Sequence, residues 1–373
     1  MSTLTYPPPL ELASAFAELG GDRPEWDDQQ DSTLVCAQVR QVTHDVKTFI
    51  LRARGPRVFR YEPGQFVTLT VGINGQDISR CYTISSPPTR PNFIAITVKR
   101  QHGGVMSNWM HDHVRAGTEL RVQGPLGTFT LSRYPSAKYL FLSGGSGITP
   151  LMSMTRALYD LAADTDVLFV HSARTPSDII FRAELSGIAG VYPGLRVTHI
   201  CESDSPGESW PGLRGRLDQY MLQTLAPDLQ EREVFTCGPA PYMAAVRDLA
   251  GINPLRYHEE SFDFDDLPGQ RADARDDQLT PGSAPVTTYA VEFTRSARTI
   301  RCGADETILD AALDAGMHLP FSCTEGMCGT CKCTLTEGSV DMHHNGGIRP
   351  REIAQNKILP CCSMPLTDLV IDA

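Results

Sequence analysis

The chain has 373 residues, 41% of them hydrophobic and 21% charged, with a formal net charge of -11. That length suffices for two or three domains with separate cores, and the acidic balance, without a basic stripe, excludes a nucleic-acid footprint. No apolar run has the length of a membrane span and no segment reads as a signal peptide. The eleven cysteines are therefore expected as thiols or metal ligands in a reducing cytoplasm, not as a disulfide scaffold.

Residues 1–31 carry seven acids and one base, residues 263–280 six and two, and residues 286–373 eleven and seven, which leaves residues 32–262 at +3. A mildly basic body beside an acidic C-terminal part suits docking between the two; exposed segments kept soluble would look the same.

In chain order, residues 1–31 open on Pro7-Pro8-Pro9, pass through a helical stretch from Leu10 to Leu19 and end in an acidic run, so a partly ordered tail is expected. Strand-like runs then dominate: Leu34–Val39, Thr48–Leu51, Gln65–Val71, Arg80–Ser85, Phe93–Val98 and Glu119–Gln123, punctuated by Pro63-Gly64 and Asn74-Gly75. A closed antiparallel barrel is expected over residues 32–132. His111-Asp112-His113 reads as the solvated face of a polar helix and not as a metal site, because alternate helical residues point apart.

The rhythm changes at Lys138–Ser143, a buried-type strand followed by Gly144-Gly145-Ser146-Gly147-Ile148-Thr149-Pro150 and a helix with Leu151, Met154, Leu158 and Leu161 on one face. Thr149 reads as the N-cap and Pro150 as the first helical residue. Strand, glycine loop and helix make an anion cradle. Asp166–His171, Arg196–Cys201 and Glu233–Thr236 supply further strands alternating with helices, as a parallel α/β sheet over residues 133–262 requires. Residues 263–285 are acidic, rich in Gly, Pro and Asp, and read as a linker.

In residues 286–373, Cys323, Cys328 and Cys331 are spaced C-x4-C-x2-C, and Cys361 follows after 29 intervening residues. This is the plant-type 2Fe-2S ligand spacing. Zinc is the rival, but zinc ligands usually come as two short knuckles, and here the fourth comes singly from a distant segment. Gly326 and Gly329 suit a loop whose backbone approaches a cluster closely. Ile308, Leu309, Ala312 and Leu313 predict a helix within Asp305–Gly316, and Val286–Phe293, Ser296–Arg301 and Leu366–Ile371 predict strands. An extended run from Leu359 to Ile371 would turn Cys361 inward and Cys362 outward, with Cys333 an outward neighbour of the loop. The whole segment resembles a plant-type ferredoxin, a β-grasp domain.

Other motifs carry a second resemblance. Arg80-Cys81-Tyr82-Thr83 is similar to the R-x-Y-[ST] motif of the ferredoxin-NADP reductase superfamily, and Gly104-Val105-Met106-Ser107 to its G-x-x-S motif. Alone, the first is an ordinary surface pair and the second an ordinary N-cap; together inside one barrel they point to flavin. The loop Gly144–Pro150 and Cys237-Gly238-Pro239 resemble the superfamily's nucleotide loop and C-G-P. The resemblance implies that Arg80 pairs with a flavin phosphate, Tyr82 packs on the isoalloxazine and Thr83 bonds near flavin N5. Gly104, Val105, Met106 and Ser107 would hold the pyrophosphate, so FAD is expected rather than FMN. Gly144, Gly145, Gly147, Thr149, Gly238 and Pro239 would hold the pyridine dinucleotide, with Cys237 near the nicotinamide. Glu260 and Phe262 would lie by the flavin, Phe262 covering its ring; an ordinary buried Phe at a strand end is the alternative. Where NADP-specific relatives place a Ser-Arg pair, this chain has Cys201-Glu202. A carboxylate there repels a 2′-phosphate and accepts from ribose hydroxyls, so NADH is expected.

The order of flavin barrel, nucleotide domain and ferredoxin resembles the reductase components of two-component Rieske oxygenases. The stretches 39–49 and 359–371 look like reductases serving glycine betaine and related quaternary-amine monooxygenases. Implied are NADH, FAD, a 2Fe-2S cluster and a separate Rieske-type oxygenase as electron acceptor, with no nucleic-acid or membrane partner. A reductase of the hybrid-cluster protein shares this order, and a redox-sensing electron-carrier module is a reading of another class.

Overall fold

Alternating apolar residues build the first sheet. In the computed structural model, which describes residues 21–249, 251–261, 287–317, 319, 321, 326, 329 and 331–373, six strands form it: β1 (Thr33–Thr43), β2 (Val46–Ala53), β3 (Phe66–Ile73), β4 (Gln76–Thr83), β5 (Ile94–Lys99) and β6 (Glu119–Leu126). Their order is β4-β3-β6-β1-β2-β5. An antiparallel bridge between Ile84 and Ile96 joins the two edges and closes a barrel. Every second residue enters its core: Phe49 and Leu51; Val67, Leu69 and Val71; Ile94, Ile96 and Val98; Leu120 and Val122. Asn74 and Gly75 both take positive φ, 52° and 81°, the geometry of a two-residue hairpin between β3 and β4. Part of the expected N-terminal tail belongs here, since Trp26 is buried against Phe59 with ring centroids 5.3 Å apart. The stretch from Leu10 to Leu19 and the linker at 263–285 lie outside the described residues.

Helix α1 (Val105–His113) plugs the barrel with Met106 and Met110. The solvated-face reading fails for one of its histidines. His111 is 6% exposed and its Nε2 bonds the Val98 carbonyl at 2.9 Å, whereas His113 is exposed and stacks on Trp109. Alternate residues do point apart, and one of them points into the barrel.

Near-continuous apolar runs build the second sheet, as burial on both faces demands. It comprises β7 (Lys138–Gly144), β8 (Asp166–Ala173), β9 (Leu195–Cys201), β10 (Leu213–Arg214), β11 (Glu233–Gly238) and β12 (Tyr257–Ser261), in the order β10-β9-β8-β7-β11-β12, all parallel. Helices α2 (Ile148–Asp160) and α3 (Arg182–Val191) cover the face of Tyr139, Phe141, Phe169 and Phe235. Helices α4 (Gln219–Leu225) and α5 (Ala240–Arg247) cover the face of Leu140, Leu142, Leu168 and Val234. The strand order reverses between β7 and β11, which opens a crevice at their C-terminal ends.

The start of α2 differs from expectation. Gly145–Gly147 form a 3-10 turn and Gly147 is the N-cap, so the helix begins at Ile148. Thr149 lies inside the first turn, donating to Ser146 O at 3.1 Å, and Pro150 is the third helical residue, where a missing N–H costs nothing because first-turn donors have no helical partner.

Under the sheet, Arg232 is 1% exposed and is held by Asp228, Asp166 and the Tyr139 carbonyl at 2.7 to 3.0 Å. Removing Arg232 leaves Asp228 with Lys138 and Asp166 with Arg196, but it deletes several charge-assisted hydrogen bonds at a buried position, which costs about 2 kcal/mol. Arg232→Ala is therefore expected to lower the thermal midpoint, and an unchanged midpoint would remove the network from the account of stability.

The third unit is built from β13 (Thr288–Phe293), β14 (Arg298–Gly303), helix α6 (Ile308–Asp314), β15 (Cys333–Glu337), β16 (Val340–Met342), helix α7 (Pro350–Ile353), β17 (Lys357–Ile358), β18 (Ser363–Pro365) and β19 (Leu369–Asp372). Its sheet runs β14-β13-β19-β15-β17, with β13 and β19 parallel and α6 packed on Val291, Phe293, Ile300 and Ile371. This is a β-grasp. Thr307 caps α6 by accepting Asp310 N–H at 3.2 Å, and Gly316 ends the segment with φ of 69°. The closing strand starts at Leu369 and not at Leu366, which is 54% exposed; just before it the Asp368 carboxylate accepts Ala290 N–H at 2.8 Å.

Candidate functional site

Strand β4 carries Arg80, Tyr82 and Thr83. The Arg80 guanidinium donates to Ser79 O at 2.8 Å, Tyr82 packs against the barrel core, and Thr83 is 3% exposed with no partner for its Oγ1 among the described residues. A buried hydroxyl left open is costly unless something satisfies it, and this one fits a hydrogen bond to a bound flavin.

At the start of α1, Gly104 is the N-cap. A Cβ there would stand 2.7 Å from Ser107 Oγ and 2.9 Å from Gln101 Cβ, so only glycine lets the loop close. The Ser107 hydroxyl accepts Gln101 N–H at 3.1 Å. The first-turn backbone N–H groups, those of Val105 and Met106 among them, are thus what this helix start offers an anion.

The crevice in the parallel sheet brings the glycine loop and Cys237-Gly238-Pro239 together. A Cβ on Gly147 would lie 2.3 Å from Cys237 O, and one on Gly144 or Gly238 would strike the Tyr242 ring at 2.9 or 2.6 Å. Gly145 has φ of 53° and open space beside it, so a phosphate has backbone to approach. Tyr242, five residues after Cys237, was not singled out by the sequence reading; it is the wedge on which both loops rest. Its buried hydroxyl is pushed well above the usual phenol range by desolvation.

One register row crosses the sheet at this end. Cys237 on β11 lies opposite Glu260 on β12 and Ser143 on β7, and the row continues through His171 and His199. Cys237 is fully buried. Glu260 is 7% exposed, its Oε2 has no partner among the described residues, and burial pushes its carboxyl up to about 8. It is held as the neutral acid at pH 7. Ser143 Oγ bonds His171 Nδ1 at 2.8 Å, and burial lowers the His171 imidazole to about 3, so the ring is neutral. Phe262 lies outside the described residues.

Helix α2 also grips the barrel segment that follows Thr83. Ser153 Oγ donates to Ser86 O at 2.7 Å, and Arg156, which forks onto both oxygens of Glu184 at 2.7 and 2.6 Å, donates to Ser85 O. The helix that begins at the nucleotide loop thereby fixes the strand end bearing the flavin motif. A buried Arg and Ser on a helix whose buried residues are mostly apolar were the available signal.

In the ferredoxin unit, Cys323 and Cys328 lie outside the described residues. The other two expected ligands are brought together: Cys331 and Cys361 Sγ atoms are 3.3 Å apart, and both residues are buried. Gly326 and Gly329 have φ of 68° and 69°, and a Cβ on either would come within 2.6 Å of Cys362 Sγ or Gly347 O. Two buried cysteine sulfurs this close, beside such glycines, fit the ligand set of a thiolate-held metal cluster. Pro360–Cys362 is a 3-10 turn, not the extended chain expected from Leu359, so Cys361 and Cys362 diverge by turn geometry. Cys362 Sγ rests 3.6 Å from Leu359 O. Cys333 does not face outward: it packs on the ferredoxin core, where burial pushes its thiol up to about 12. Lys332 beside the loop is clamped to the buried Glu352 at 2.8 Å.

Comparison with known proteins agrees with this geometry. An oxidoreductase FAD-binding domain matches residues 33–131, an oxidoreductase NAD-binding domain residues 141–248 and a 2Fe-2S iron-sulfur cluster binding domain residues 291–366. The glycine betaine monooxygenase reductase subunit of Pseudomonas aeruginosa is 47% identical over 344 residues, covering 90% of this chain and 94% of its own. The stachydrine N-demethylase reductase subunit of Rhizobium meliloti is 41% identical, covering 93% and 98%. Phthalate dioxygenase reductase, solved as a modular structure for electron transfer from pyridine nucleotides to [2Fe-2S], matches 93% of this chain and 100% of its own at 25% identity and a TM-score of 0.55. Among the described residues no helix is long and apolar enough to cross a membrane. At that identity over nine-tenths of its length, the chain belongs to the family of the glycine betaine monooxygenase reductase subunits, oxidoreductases that join FAD-binding, NAD-binding and 2Fe-2S domains in one polypeptide.

Proposed function

We propose that this chain is a cytoplasmic NADH-dependent reductase supplying single electrons to a separate Rieske-type oxygenase that demethylates glycine betaine or a related quaternary amine. When bound, FAD accepts two electrons as hydride and the 2Fe-2S cluster carries them onward one at a time. The observation that carries the reading is the convergence at the sheet crevice of Gly147, Cys237 and a buried Glu260 whose Oε2 has no partner among the described residues. The choice of oxygenase substrate is supported by relatives that bear those substrates' names.

In this reading residues 32–132 bind FAD, 133–262 bind NADH and 286–373 hold the cluster, joined by the linker at 263–285. Arg80 neutralises a flavin phosphate, Tyr82 supports the ring and Thr83 Oγ1 donates at its reacting edge. Gly104 to Ser107 receive the pyrophosphate on backbone N–H groups. Gly144, Gly145, Gly147, Thr149, Gly238 and Pro239 shape the nucleotide crevice, Cys237 borders the nicotinamide, Glu202 accepts from the ribose, and Phe262 shields the flavin. Glu260, held neutral, presents a proton without adding negative charge to the site. Cys323, Cys328, Cys331 and Cys361 are the cluster ligands.

Mixing the purified chain with a Rieske oxygenase, NADH and glycine betaine tests this directly. Formaldehyde release dependent on all components is expected. NADH-driven reduction of cytochrome c without demethylation would remove the substrate assignment, and failure to reduce cytochrome c would remove the reductase. Arg80→Ala is expected to lower flavin content per chain, since a charge-assisted phosphate contact is lost, with flavin absorbance after purification as the measure.

A further inference from the structure

We propose that Arg216 is a latent ligand for a ribose 2′-phosphate, kept out of use by Glu202, so that one surface ion pair sets the coenzyme preference. The proposal rests on the NADH reading of the nucleotide crevice. It goes beyond that reading because Glu202 alone does not explain the preference: a carboxylate neutralised by a neighbouring guanidinium repels a phosphate far less than a bare one.

Glu202 follows β9, and its N–H donates to Ala173 O at 3.2 Å, extending the pairing with β8. Opposite it, the turn after β10 is pinned to the same strand end, because Gly215 N–H donates to Cys201 O at 2.9 Å with φ of 99° at that glycine. Two arginines flank Gly215 and are held differently. Arg214 donates to Asp204 Oδ1 at 2.6 Å and to Trp210 O at 2.7 Å, which commits it to structure. Arg216 Nε donates to Glu202 Oε1 at 3.2 Å, and the two side chains are 82% and 45% exposed. An ion pair so open to water contributes little to stability and can be exchanged. A guanidinium forks onto a phosphate at least as well as onto a carboxylate. What prevents the exchange is the Glu202 charge, which would remain beside the incoming dianion. Neutralising Glu202 therefore frees a cation already anchored at the place where a 2′-phosphate arrives.

The test measures binding of 2′,5′-ADP and 5′-ADP by calorimetry to the flavin-loaded protein and to Glu202→Gln, Arg216→Ala and the double variant. The ratio of the two affinities isolates the 2′-phosphate. Glu202→Gln is expected to shift this ratio toward 2′,5′-ADP by about tenfold or more, the scale of one charge-assisted contact. The double variant is expected to lose the gain, and NADPH oxidation by Glu202→Gln should rise in kcat/KM in step with the ratio. An unchanged ratio in Glu202→Gln, or a gain that survives in the double variant, overturns the role of Arg216. If neither nucleotide binds the unaltered protein, the nucleotide crevice itself is misread, and the proposal falls with it.

Discussion

Cys361→Ser is expected to yield a protein that keeps its flavin, is still reduced by NADH, and delivers no electrons to an oxygenase or to cytochrome c by way of the cluster. Cys361 is 5% exposed and its Sγ lies 3.3 Å from that of Cys331, inside an apolar pocket that also contains Leu309, Ile348 and Leu359. Replacing a thiolate by a hydroxyl at one of four positions removes the soft, charged donor that iron in such a cluster requires. Iron content should fall and the electron paramagnetic resonance signal of the reduced cluster should vanish or change shape. Cys362→Ser serves as the control, because that sulfur sits against Leu359 O and under Gly326. It should retain both iron and signal. If Cys362→Ser bleaches the protein and Cys361→Ser does not, the turn at 360–362 is read with the wrong residue inward.

That control also shows what the sequence could and could not convey. The spacing of the cysteines points to Cys361, but an extended strand is not what separates it from Cys362: Pro360 opens a 3-10 turn there, and the divergence comes from turn geometry. The barrel was legible because alternation is a local property, visible in runs such as Val67, Leu69 and Val71. The parallel sheet was legible because buried strands and amphipathic helices alternate along the chain. Long-range contacts were not legible. The 3-10 start of α2 depends on Gly147 meeting the Cys237 carbonyl, and the burial of His111 depends on a carbonyl of β5. Neither partner is near in sequence. The same holds for Ser153 and Arg156 gripping Ser86 and Ser85, for Tyr242 beneath both glycine loops, and for the pairing of Arg216 with Glu202.

Glu260→Gln is expected to make the protein more stable than the unaltered chain at pH 8.5 and little different at pH 5. Burial raises the Glu260 carboxyl from an ordinary value of 4.5 to about 8, with Oε2 lacking any partner among the described residues. Between those two values the folded state holds a proton that the unfolded state has released. Stability therefore falls as pH rises through the window, by about 1.4 kcal/mol per pH unit, and the loss across it is on the order of 5 kcal/mol. Glutamine resembles the neutral acid in shape and hydrogen bonding but cannot ionise, so the variant escapes this slope. The difference in thermal midpoint between the two proteins should widen steadily from pH 5 to pH 8 and then level off. A reductase rate that declines near pH 8 in the unaltered chain should decline less in the variant, if the neutral carboxyl beside Cys237 is the form that works. Parallel loss of stability in both proteins would mean that Glu260 is ionised in the fold, and that the row it shares with Cys237 and Ser143 carries a negative charge where a neutral proton donor is now placed.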